Sequence, residues 1–110
     1  MQINDFVRKM TTLTSVDYSV LEKVVKHAYS ADNDFKLALE SVNSNDASGI
    51  VFNIFMAGES FGYANNTFYS AKPSESDLEE YRNAYYKYTG EQIDKIAKAL
   101  KEKLQKVVGW

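Results

Sequence analysis

Between Ser48 and Ala71 the chain reads SGIVFNIFMAGESFGYANNTFYSA. This stretch holds four of the six phenylalanines and two of the eight tyrosines, no lysine or arginine, and a single acid, Glu59. A segment this apolar leaves water, so it is expected to form a buried element under the charged flanks. Its longest apolar run, Ile50 to Ala57, is interrupted by Asn53 and falls well short of the roughly 20 residues that span a bilayer. No membrane partner is expected.

The flanks carry helical spacing. Ile3, Phe6, Val7 and Met10 fall at i, i+3, i+4, i+7, one face of a helix over residues 2–10. Ser15 is placed to cap a second helix, about 16–29, with Val20, Leu21, Val24, Val25 and Ala28 as its apolar stripe and Glu22 and Lys26 as an outward pair. Asp32, Asn33 and Asp34 form a natural start for a third, short helix, in which Phe35, Ala38, Leu39 and Val42 repeat the spacing and Lys36 pairs with Glu40. The run NSNDASG, Asn43 to Gly49, is a turn by composition.

The central stretch admits two readings. As helix, Ile50, Val51, Ile54, Phe55 and Gly58 share a face, and Phe61, Ala64, Phe68 and Ala71 line a second. As strands, Ile50, Phe52, Ile54 and Met56 alternate, Gly58-Glu59 turns, and Phe61 and Tyr63 return opposite. Helical neighbours on both sides favour helix. In either reading Phe52, Ile54 and Phe55 are expected in the core.

Pro73 closes this section. Ser74 or Ser76 caps the next helix, whose first turn is crowded with Glu75, Asp77, Glu79 and Glu80, and along which Leu78, Tyr81, Tyr85 and Tyr88 line one side. Thr89-Gly90 reads as a break. Thr89 and Gln92 have capping-box spacing, which opens a last helix with Ile93, Ile96, Ala97, Leu100, Leu104 and Val107 as its stripe. The fold expected is thus all-α, a single domain over residues 1–110 with five or six short helices around the central segment. The alternative is α+β with a β-hairpin at 50–69.

The composition excludes much chemistry. There is no cysteine, so disulfides, thiolate catalysis and cysteine-ligated metal sites are out. His27 is the one histidine, and no acid stands at ligand spacing from it. The acids after Pro73 lack the alternating ligands, glycine and closing glutamate of a calcium loop and suit the start of a helix. Gly58 and Gly62 belong to no phosphate-binding or nucleophile motif. No catalytic residue, metal or cofactor is therefore expected, and no enzymatic activity. With no secretory signal in MQINDFVRKM, the expected location is cytoplasmic.

Two surface features remain. Glu79, Arg82 and Tyr86 share the face opposite the tyrosine stripe, and with Trp110 they are the expected contacts to another protein, since Tyr, Arg and Trp are enriched at binding hot spots. Lys95, Lys98, Lys101 and Lys106 make the last helix basic and form the alternative, a nucleic-acid-binding accessory. A net charge of −2 and the lack of interleaved aromatics weigh against it. The first nine residues, MQINDFVRK, resemble the start of a small type II anti-CRISPR protein, a phage-encoded inhibitor of a CRISPR nuclease. The rest of the chain departs from it, being less acidic and lacking its acid-rich three-stranded sheet. The resemblance implies a small phage or mobile-element protein that inhibits a host factor by binding it. Self-association is a further possibility for the partner.

Overall fold

The computed structural model describes residues 1–108, with side chains through Lys106, as four α-helices: α1 (Ile3–Met10), α2 (Tyr18–Asn43), α3 (Ala47–Ser70) and α4 (Glu75–Val108). No strand occurs among the described residues, so the all-α expectation holds and the hairpin at 50–69 does not form. The helices are fewer and longer than expected. α2 and α3 form an antiparallel hairpin, α4 returns alongside them, and the body measures 52 × 20 × 18 Å.

Two expected breaks are absent, each for a local reason. Across Ser30 to Asp34 the stripe Ala28, Ala31, Phe35, Ala38, Val42 continues without interruption, and all five are buried. Asp32, expected to start a new helix, instead accepts a hydrogen bond from the buried Tyr88 hydroxyl on α4 and pairs with Lys36 Nζ at 3.0 Å. Lys36 therefore bonds one turn back rather than forward to Glu40. At Thr89 the hydroxyl donates to Tyr85 O at 2.8 Å, bonding within the helix instead of opening a new one. The buried stripe of α4 then runs on through Tyr81, Ala84, Tyr88 and Ile96.

The remaining ends are set by side chains. Asp46 accepts from Gly49 N–H at 2.9 Å to cap α3. Asn45 (φ 59°) and Lys72 (φ 53°) take the left-handed conformation where the chain leaves α2 and α3. Ser74 caps α4 by accepting from Asp77 N–H at 3.2 Å. Ser15 does not cap α2, which begins after Asp17. Its N–H and hydroxyl donate to Asp77 at 2.8 and 2.5 Å, and its Oγ accepts from Ser74 N–H at 2.9 Å. That triangle ties the α1–α2 connection to the start of α4.

The core is aromatic and lies in the half of the body nearest α1. Phe6 meets Phe61 edge-on at 5.4 Å, Phe68 stacks on Tyr81 at 4.1 Å, and Tyr88 sits between Phe61 and Phe35. Small residues, Ala28, Ala31 and Ala38 on α2 with Ala57 and Ala64 on α3, are all buried and allow that pair of helices to close. The buried Tyr81 hydroxyl donates to Asn65 Oδ1 at 2.6 Å. Burial raises the pKa of both Tyr81 and Tyr88, keeping them neutral donors.

The first half of α3 corrects a main expectation. Val51, Phe52 and Phe55 are 71%, 61% and 65% exposed and Ile54 stands at the edge of the surface, so this half of the apolar stretch is not core. The reason is geometric. A helix that is apolar all round needs cover on every side, and α2 covers only the face carrying Ala57, Phe61, Ala64 and Phe68.

Candidate functional site

α3 and α4 meet through bulky rings, Phe61 with Tyr85 at 5.0 Å and Phe68 with Tyr81. Beyond those rings, toward the α2–α3 turn, nothing fills the space between them. A trough opens there, lined by Ile54, Gly58 and Phe61 from α3 and by Tyr86, Thr89 and Ile93 from α4, with Phe35 at its base. Val51 and Phe55 extend the apolar surface along α3. Ile93, Leu100 and Leu104, all exposed, extend it along α4. The last helix thus has its apolar stripe, but of Ile93, Ile96, Ala97, Leu100 and Leu104 only Ile96 is buried; the Val107 side chain lies outside the described residues. Lys103 holds α4 to the end of α2 by donating to Asn43 O at 2.6 Å.

Both walls carry the same spacing. Val51, Phe55, Gly58 and Gly62 follow one another at 4, 3 and 4 residues, and so do Ile93, Ala97, Leu100 and Leu104. That is the a/d repeat of a coiled-coil seam, in which helices meet by knobs entering holes. A Cβ added at Gly58 or Gly62 would meet nothing, so α3 offers open holes along this seam. The repeat is legible in the sequence, but spacing alone does not distinguish an open seam from a stripe that faces the core.

The residues singled out from the sequence fall as follows. Glu79, Arg82 and Tyr86 are exposed on one face of α4. Tyr86 and Arg82 also border a concavity with Tyr69, Lys72, Pro73 and Leu78, so the three are brought together, and Tyr86 links them to the apolar trough. Trp110 lies outside the described residues. Lys95, Lys98, Lys101 and Lys106 are exposed, and none is ion-paired among the described residues; their positions on the wheel lie away from the Ile93–Leu104 stripe. His27 is half-buried beside the Tyr63 ring at 5.6 Å.

Two carboxylates have shifted acidity. The Ser15 hydroxyl, followed by the Ser15 N–H, lowers the pKa of Asp77. Burial raises that of Asp34, against a hydrogen bond from the Ser60 hydroxyl at 3.5 Å. They lie on different helices and belong to no group of three or more potential metal ligands, since none occurs among the described residues. No helix of the described residues is long and apolar enough to cross a membrane.

Family models, characterised proteins and solved structures were each compared with the chain, and none matches.

Proposed function

We propose that this chain works by binding another protein chain, without catalysis of its own, through the apolar face that α3 and α4 leave open. The observation that carries this reading is the exposure of Val51, Phe55 and Ile93 on one side of the body, at seam spacing. Contiguous apolar surface of this kind marks interaction sites in folded proteins. The polar and aromatic group Glu79, Arg82 and Tyr86 continues the face along α4 and resembles the rim around an interface core. Inhibition of a host factor by a phage or mobile-element protein is one form this function takes.

The lysines of α4 support nucleic-acid binding less well, because α4 has no aromatic residue among them and only Arg82 for phosphate recognition. Affinity capture from the native host tests the main reading. Wild type is expected to retain a defined protein, and Phe55→Asp with Ile93→Asp to lose it while keeping the helical circular dichroism spectrum. Retention unchanged in that double variant would place binding elsewhere. Retention lost instead in Arg82→Ala with Tyr86→Ala alone would move the site to the polar group.

A further inference from the structure

We infer that this face is covered by a second copy of the same chain. The two-fold axis runs along the trough, parallel to the helices, and sets α3 of each copy antiparallel on α4 of the other. This inference rests on the protein-binding reading above and names its partner. Area, register and charge carry it.

One chain leaves on the order of 600 Å² of mainly apolar surface open at Val51, Ile54, Phe55, Tyr86, Ile93 and Leu100. A standard interface takes about 800 Å² from each partner, a little over half of it apolar. The face therefore supplies the apolar surface a stable dimer needs, and Asn66, Glu79 and Arg82, all exposed, continue it as a polar end.

The register is not adjustable, because an axis parallel to the helices keeps every residue at its own level. Within the chain those levels are set by ring contacts: Phe61 touches Tyr85 and Tyr88, and Phe68 stacks on Tyr81. Gly62 is thus level with Tyr86. From there both helices carry exposed residues at the same steps of 7, 4 and 3: Gly62, Phe55, Val51 and Ser48 on α3, and Tyr86, Ile93, Ala97 and Leu100 on α4. Equal steps on two helices keep these pairs level. The rotation lays each residue on its level partner in the other copy. Tyr86 enters the space over Gly62, where an added Cβ meets nothing of its own chain. Phe55 meets Ile93, Val51 meets Ala97, and Leu100 meets Ser48, with Leu104 beside the turn that precedes the second copy's α3. Only Phe55 with Ile93 sets bulk on bulk; in the other pairs a larger side chain faces a small one. The layer at Gly58 and Gly90 is bare and leaves room for the rings beside it. At the polar end Arg82 meets Asn66 and Glu79 meets Tyr69. The contact is isologous, so every pair forms twice. The other two-fold, across the helices, sets α3 on α3 and α4 on α4. Centred on this face, it opposes Phe55 to Phe55 and puts Leu104 against the Arg82 guanidinium.

Charge agrees with this register. Glu59, the single charged residue of α3, and Lys87 of α4 each directly follow a seam residue, Gly58 and Tyr86, and so flank the seam on its outer side. They lie within about 3 Å of one level, and the rotation brings Glu59 of one copy beside Lys87 of the other, as flanking charges pair in coiled coils. Both are exposed and in no ion pair among the described residues, so the contact gives each an opposite charge.

The absence of cysteine from the chain makes the pairing directly testable. Oxidising a mixture of Val51→Cys protein and Ala97→Cys protein is expected to give a disulfide joining the two chains. Phe55→Cys protein alone is expected not to link, because the two copies of that residue stand diagonally across the axis; the across-helix arrangement would link them. Sedimentation equilibrium of the wild type should give twice the 12.5 kDa chain mass. Phe55→Asp and Gly62→Leu should each weaken association by about tenfold or more, with helicity unchanged. For Gly62→Leu the obstruction is to the second copy's Tyr86 alone. Glu59→Lys should weaken association less, and adding Lys87→Glu to the same chain should restore it. A wild type that stays monomeric at hundreds of micromolar overturns the inference. So does a dimer indifferent to both Phe55→Asp and Gly62→Leu, or one that links position 55 to itself, or one that fails to link position 51 to position 97. A monomer that still captures a different protein through Phe55 overturns self-association alone and leaves the protein-binding reading standing.

Discussion

At the scale of single residues, the phenylalanines of α3 look alike in sequence and do opposite things. Phe61 is fully covered and touches Phe6, Tyr85 and Tyr88. Phe61→Ala should cost about 3–5 kcal/mol in chemical denaturation, as large-to-small changes in an aromatic core do. Phe52, on the open side and off the seam, should cost no more than about 0.5 kcal/mol as Phe52→Ala. Equal losses at the two positions would contradict the packing described. Asp77 makes a second residue-scale claim. Its folded pKa lies below its ordinary 3.8 because Ser15 donates to the carboxylate. The stability it supplies is therefore present above that unfolded value and is lost as pH falls through the folded one. Asp34 acts in the opposite sense, since burial makes its ionised form costly. Comparing wild type with Asp77→Asn leaves Asp34 common to both. The wild-type advantage at pH 7 is expected to shrink below about pH 4, read from urea midpoints across the acid limb. An advantage that persists unchanged at low pH would mean that the Ser15–Asp77 bonds do not depend on the charge.

At the scale of elements, what was legible is where the chain turns polar and glycine- or proline-rich together. Met10 and Pro73 bound helices where the spacing and composition put them, while the turn expected over Asn43 to Gly49 narrows to Ser44–Asp46, because Asp46 caps α3 through Gly49 N–H. The breaks at Asp32 and at Thr89-Gly90 were not real, because each capping signal there is met by a tertiary or within-helix bond that sequence spacing cannot display. Asp32 resembles a cap until Tyr88, 56 residues away, takes its oxygen. The tyrosine stripe of α4 was legible because Leu78, Tyr81, Tyr85 and Tyr88 share one face, with Tyr81 and Tyr88 buried and Leu78 and Tyr85 half-buried. The openness of α3 was not, since periodicity tells which residues share a face but not how many neighbours arrive to cover it. Gly90 illustrates the same point as a test. It is helical, exposed and without a neighbour to clash with a Cβ. Were it a hinge between two helices, Gly90→Ala would be harmful. In a continuous α4 the substitution should instead raise stability by up to about 1 kcal/mol, measured by thermal or urea unfolding. A lowered midpoint would restore the break.

At the scale of the whole molecule, the two halves of the body are held unequally. Near α1 the aromatic cluster binds four helices together. Toward the α2–α3 turn the buried set thins to Phe35, Ala38, Val42 and Ile96, with Lys103 fixing α4 to Asn43. Amide exchange follows the free energy of local opening, which is lowest where few buried apolar contacts must be broken. In a monomer, the amides of α4 from Ile96 to Lys103 should therefore exchange faster than those from Tyr81 to Tyr88, although both belong to one helix. Binding of a chain at this face would change this, because whatever binds the folded state only adds stability in proportion to its occupancy. If a second copy covers Ile93 to Leu104, protection there should rise with protein concentration, from micromolar to hundreds of micromolar, while Tyr81 to Tyr88 changes less. Phe55→Asp should abolish that concentration dependence and leave the gradient along α4 in place. Uniform exchange along α4 in the monomeric variant would show that the open half is as firmly held as the aromatic one. The unpartnered seam would then be a feature of a rigid surface rather than of a half-finished core.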